Sequence, residues 1–107
     1  MAALPEPRLA DPPGEFDTYQ LVLLVRPPDA PEIDEATAVL VQRQHLGHLA
    51  NMRDQGHVVT SGPLLGPSDE RLRGISIYRA GSIEEARRLA ESDPAVQAGR
   101  LAVEVMT

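Results

Sequence analysis

The chain has no cysteine, no tryptophan and no lysine, and only one phenylalanine and two tyrosines. Without cysteine there is no disulfide, no thiol nucleophile and no thiolate metal site. A cytoplasmic location is the expectation that agrees with this. With aromatics at 3%, the core has to be assembled from Leu, Val, Ile and Ala. Long apolar runs are missing too. The longest, "LVLLV" at 21–25, is far too short to cross a bilayer. The N-terminus also lacks the basic start and apolar segment of a signal peptide, so no membrane partner is expected. Positive charge is scarce: ten arginines face 16 Asp and Glu, for a net charge of -6. The arginines are scattered along the chain and form no basic stripe. Phosphate binding draws on concentrated basic residues, so nucleic acid is not an expected partner. No GxGxxG or P-loop pattern supports a nucleotide either.

What remains is an ordinary globular composition, 42% hydrophobic and 24% charged over 107 residues, enough for one domain. Residues 1–16, "MAALPEPRLADPPGEF", carry four prolines and no sustained period, and read as a flexible N-terminal extension. The domain is expected over 17–107. "TYQLVLLVR" (18–26) is a β-rich run ended by Pro27-Pro28, which cannot continue a central strand. Residues 34–55 have helical spacing, with Asp34 as N-cap and Gly56 as the stop. "HVVTSGPLL" (57–65) is a short strand, "GPSDERLRG" a polar loop, and "GISIYR" (74–79) an alternating strand. "SIEE" (82–85) is a capping box in which Ser82 and Glu85 satisfy each other's free amides, and it opens a second helix. In "SDPAVQAG" (92–99), Asp93 or Ser92 caps a short helix with Pro94 at its first position and Gly99 as the stop. "RLAVEVM" (100–106) is the last strand.

The order β-α-β-β-α-β predicts an α+β, ferredoxin-like fold, a four-stranded antiparallel sheet with helices over one face. The first strand is apolar on both faces: Leu21, Leu23 and Val25 point one way, Val22 and Leu24 the other. Ile75 and Ile77 add to one side of the third strand. A large apolar patch left in water is unusual for a monomer, so the bare sheet faces of two copies are expected to pack together as a homodimer.

In "VLVQRQHLGHLANM" (39–52), His45 falls on one stripe with Leu49 and Met52, with Leu46 beside it. A histidine on an apolar stripe is either a structural residue bonded to a backbone carbonyl or a group set against a pocket. His48 lies three residues on and His57 begins the next strand. A His-x-x-His pair completed by Asp93 would make a metal site only with further ligands that the sequence does not offer. His48 therefore reads as a solvated helix residue and His57 as a surface residue at a strand end.

"RQHLGHL", "VVTSGPLL" and "ESDPAVQAG", in this order and spacing, make residues 18–106 resemble the YciI-like (YCII-related) family, small proteins with the dimeric α/β-barrel version of this fold. The resemblance implies a histidine–aspartate dyad, carried here by His45 of "RQHL" and Asp93 of "SDPAVQAG". One similar protein is a dehydrochlorinase acting on a chlorinated hydroxyquinol, so lyase chemistry by proton transfer enters as an expectation. A carboxylate fixes one imidazole nitrogen in its tautomer and stabilises the imidazolium once a proton is taken up. Asp93 has a plainer role as N-cap, and the two are compatible: one oxygen caps while the other meets His45. Ser61 and Gly62 of "TSGPLL" are the expected substrate-binding residues, the hydroxyl meeting a ligand oxygen and the glycine letting backbone come close; equally, Ser-Gly-Pro is a turn. The reading is a cofactor-independent lyase or isomerase acting on a small organic molecule, with no metal. The alternative is a non-catalytic small-molecule-binding or accessory module, since one fold hosts many roles.

Overall fold

The computed structural model describes residues 3–12, 14–66 and 69–107. Four strands, β1 (Gln20–Val25), β2 (Val58–Pro63), β3 (Leu72–Tyr78) and β4 (Ala102–Met106), and three helices, α1 (Glu35–Asp54), α2 (Ile83–Glu91) and α3 (Pro94–Gln97), follow in the order β1-α1-β2-β3-α2-α3-β4. The strands form one sheet in the order β2-β3-β1-β4, every pairing antiparallel. This is the ferredoxin-like α+β arrangement anticipated from the pattern. Residues 3–12 and 14–19 form no helix or strand. Met1, Ala2 and Pro13 of the expected extension, and Pro67 and Ser68 of the polar loop, lie outside the described residues.

Register explains which face is the core. Val22 pairs with Ser76 and Val105, and Leu24 with Gly74 and Val103, so these residues share one face. Helix α2 packs on β4 and β1, and α1 on β2 and α3. Val22, Leu24, Val58 and Tyr78 from the sheet meet Met52, Ala86, Leu89 and Ala90 from the helices in one buried cluster. The small alanines of α2 let that helix sit close to the strands. The opposite face carries Leu21, Leu23, Ile75 and Ile77, half-buried by their own neighbours, and among the described residues no helix covers it. Val25 is apolar and buried at the end of this row.

Local chemistry sets the ends. Gly56 and Gly99 adopt φ of 82° and 75°, the left-handed region that terminates a helix. Ser82 accepts from the Glu85 amide as an N-cap should, but the capping box is only half made: the Glu85 carboxylate pairs with Arg88, a closer and cationic partner. Asp34 takes the N-cap position of α1 with extended backbone, yet its side chain makes no capping bond. The first turn of α1 is exposed, and water serves its amides as well.

Only His45 and Met52 of α1 are buried; Val39, Leu40 and Leu46 are about half exposed. The helix is anchored at its C-terminal end by Met52 and stands clear of β1 and β3 further back. The space beneath it is the site.

A cleft under the long helix with a buried histidine–aspartate pair

A cleft of about 740 Å³ opens between α1 and the end of the sheet where β1 finishes and β4 begins. His45 lines it together with Leu46 and Leu49 from α1, Ser61 and Gly62 from β2, and Leu24 and Gly74 from the central strands. Bare backbone is needed where β2 and β3 close up beneath it, because a Cβ at Gly74 would stand 3.0 Å from the carbonyl oxygen of Gly62. The tight spot is thus Gly74; a Cβ at Gly62 would meet nothing within 4 Å, so the expected close approach belongs to its partner strand.

His45 Nδ1 and Asp93 Oδ2 lie 2.5 Å apart across 48 residues of sequence, with the two side chains 10% and 2% exposed. The other carboxylate oxygen, Oδ1, accepts from the Ala95 amide at 2.8 Å and caps α3. Pro94 gives that short helix its first residue without an amide to satisfy. Both of Asp93's oxygens are therefore engaged, one in local structure and one across the fold. A carboxylate almost wholly removed from water needs such partners to remain there. With its Nδ1 taken, His45 has only Nε2 left for the cleft.

Two polar groups, Tyr78 and His48, lie within electrostatic reach of the pair. Tyr78 is buried on β3, and its hydroxyl is pushed up to about 12, first by burial and then by the negative charge of Asp93. It stays protonated at any physiological pH. His48 is not the solvated residue expected from its helical position: its Nε2 is shut away from water with no hydrogen-bond partner. Burial pulls its pKa below the ordinary histidine value, with Asp93 acting against this and His45 adding to it. Ser76 Oγ is likewise buried without a partner. Among the described residues no three His, Asp or Glu side chains come together as a metal site, and no helix is long and apolar enough to cross a membrane.

The arginines depart furthest from expectation. Scattered along the sequence, four of them, Arg26, Arg53, Arg73 and Arg100, line the one cleft. No periodicity could signal this, because they come from α1, the end of β1, β3 and the residue after Gly99.

The sequence model of the YCII-related domain matches residues 21–107, most of the chain, and the chain belongs to that family. Comparison with curated proteins finds no significant match. Among solved structures the chain is similar to 5-chloro-2-hydroxyhydroquinone dehydrochlorinase from Burkholderia phenoliruptrix AC1100, solved in complex with 2,5-dihydroxybenzoquinone. The two are 22% identical with a TM-score of 0.60, and the match covers 84% of this chain and 92% of that chain, a likeness of fold.

Two outcomes follow from this geometry. Asp93→Ala removes a cap worth about 0.5–2 kcal/mol and leaves a buried imidazole donor unpaired at about 1–3 kcal/mol. Urea unfolding is expected to show a loss of about 2–4 kcal/mol for it and a smaller one for Asp93→Asn, which keeps an acceptor oxygen for the cap. Equal losses would contradict the double role. For His48, the depressed pKa means that the unfolded chain binds more protons than the folded one below about pH 6.5. Its contribution to stability is present above that pH and is lost as pH falls towards the folded pKa. His48→Gln is expected to flatten the dependence of the urea midpoint on pH in this window; an unchanged slope would contradict the burial.

Proposed function

We propose that the protein is a lyase- or isomerase-type enzyme acting on a small organic molecule, with His45 as the general base and acid and Asp93 as the residue that positions it. The observation that carries this reading is the pairing of a buried imidazole with a fully engaged carboxylate on the wall of an open cleft. A purely structural histidine needs no cavity beside it.

The chemistry suits a substrate with an acidic C–H next to a carbonyl. His45 Nε2, unprotonated because Nδ1 carries the proton towards Asp93, takes the C–H proton. The electron pair left behind either expels a leaving group from the adjacent carbon as an anion, forming a double bond, or moves to another carbon that is reprotonated by the imidazolium. The first outcome is elimination and the second isomerisation. Asp93 stabilises the imidazolium between the two transfers without taking the proton itself. Ser61, on the opposite wall, is the residue proposed to hold the carbonyl oxygen, with the Gly62 backbone leaving room for it. The similar dehydrochlorinase, described with a quinone bound, lends support to elimination from an oxygenated ring.

Positioned proton transfer is worth on the order of 10²–10⁴ in rate. Chloride release from β-chloro ketones and deuterium uptake from D2O by a panel of β-dicarbonyl compounds can be followed. His45→Gln is expected to lower any turnover by about 10²–10⁴, whereas a full rate in that variant would remove the mechanism.

The bare sheet face belongs to the same proposal. Leu21, Leu23, Ile75 and Ile77 form an apolar centre on the side away from the helices, with Met106 at 39% exposure beside Leu21. A second copy of the chain, turned face to face, buries this row against its own equivalent, as in sheet-on-sheet packing. Light scattering at micromolar concentration is expected to give the mass of two chains, and Leu23→Arg with Ile77→Arg the mass of one. A wild-type monomer would contradict the homodimer.

A further inference from the structure

The charge around the cleft is opposite in sign to that of the protein. Acidic residues outnumber arginines by 16 to 10 in the chain, yet among the described residues that line the cleft there are four arginines and no Asp or Glu. Three of the four converge at one end of the sheet. Arg26 follows the last residue of β1. Arg73 is the residue skipped in the β1–β3 register, where Leu24 pairs with Gly74 and Val25 with Leu72. A bulge of this kind re-aims a side chain. Arg100 precedes β4, whose Ala102 also pairs with Val25.

Surface arginines that only solubilise a protein are separated or paired with carboxylates. These are neither. The ion pairs that the described arginines make, Arg71–Asp69, Arg87–Glu91 and Arg88–Glu85, lie elsewhere. Arg26 Nε is closed off from water and has no hydrogen-bond partner, a state that costs free energy for a charged donor unless an acceptor arrives. Burial, and then the like charges of Arg100 and Arg73, draw its pKa below the ordinary arginine range, which places each of those two within electrostatic reach of Arg26. Arg100 is held in place by donating from Nη1 to the Pro31 carbonyl at 2.6 Å.

We propose that the cleft takes an organic carboxylate, its anionic end among Arg26, Arg73 and Arg100 and its apolar body against Leu24, Leu46, Leu49 and Leu101. This rests on the proposed reading of the cleft as a substrate site and names the substrate class. A guanidinium offers a planar pair of donors that fits a carboxylate. Phosphate sites, by contrast, usually add a cradle of backbone amides from a glycine-rich turn, and the sequence has no such motif. The substrate is thus anchored by its charge at one end while the carbon that loses a proton lies at the His45 end. Anchoring of this kind converts binding into orientation at the reacting carbon.

Benzoate and benzamide, equal in shape and different in charge, provide the probes, and calorimetry on the full chain the readout. Benzoate is expected to bind at least about tenfold more tightly than benzamide, as a charge-assisted bidentate contact should. Its affinity should weaken severalfold as salt rises from about 0.02 to about 0.2 M. Arg26→Gln and Arg73→Gln should each weaken benzoate by about fivefold or more and leave benzamide unchanged. The wild-type contrast needs no variant to fold, and thermal melts check the variants. Equal affinity for the two probes, or no binding of benzoate, would overturn the proposal and leave proton transfer at His45 untouched. Inorganic phosphate binding more tightly than benzoate would overturn the choice of carboxylate. Full turnover by His45→Gln would remove the enzymatic reading without altering the benzoate contrast, so the two failures are distinguishable.

Discussion

One carboxylate ties the molecule together. Asp93 is 1% exposed and holds the start of α3 with one oxygen and the imidazole of α1 with the other. Without the first contact, the turn after α2 has no reason to redirect the chain at Pro94. Without the second, the middle of α1 loses its one fully buried polar contact and is left to Met52, two turns away, and to half-buried residues such as Leu49. The bond between them fixes where α1 crosses and therefore how wide the cleft is. Structure and chemistry converge on this residue because a buried anion must be fully partnered, and one of the partners available here is a group that can exchange protons.

The cleft exists because α1 is a poor core helix. Much of its apolar surface is left half exposed, and its packing is on β2 and α3 rather than on the central strands. A more amphipathic helix would have settled onto β1 and β3 and filled the space. At the same end of the sheet, Arg26, Arg73 and Arg100 line the cleft with no carboxylate among the described lining residues. Poor packing and unbalanced charge, both unfavourable for stability alone, are together what a binding site for an anion requires.

Much of the fold could be read from the chain. Prolines 27 and 28 stop β1, Gly56 and Gly99 stop their helices, Ser82 starts α2, and the alternation of β3 gives its two faces. Those signals are local, and local physics decides them. The family-matching pieces "RQHLGHL" and "SDPAVQAG" named the two residues of the pair, and the structure places them in contact. What could not be read is set by tertiary placement. The environment of His48 depends on how α1 lies against its neighbours, not on its helical position. The capping box of α2 lost its second half to Arg88, a competition between two good partners that spacing does not resolve. Arg26, Arg73 and Arg100 come together only through the β1–β3 and β1–β4 pairings, and one of them only through a one-residue bulge.

The proposed role of His45 requires its imidazole to carry the proton on Nδ1, directed at Asp93, and to keep Nε2 free for the cleft. Nitrogen-15 NMR of the labelled protein, at a pH where the imidazoles are neutral, reads the tautomer of each histidine ring directly. His45 is expected to show a protonated Nδ1 and an unprotonated Nε2, and replacement of Asp93 by Asn to disturb that pattern. A His45 found with its proton on Nε2, unaffected by Asp93, would contradict it.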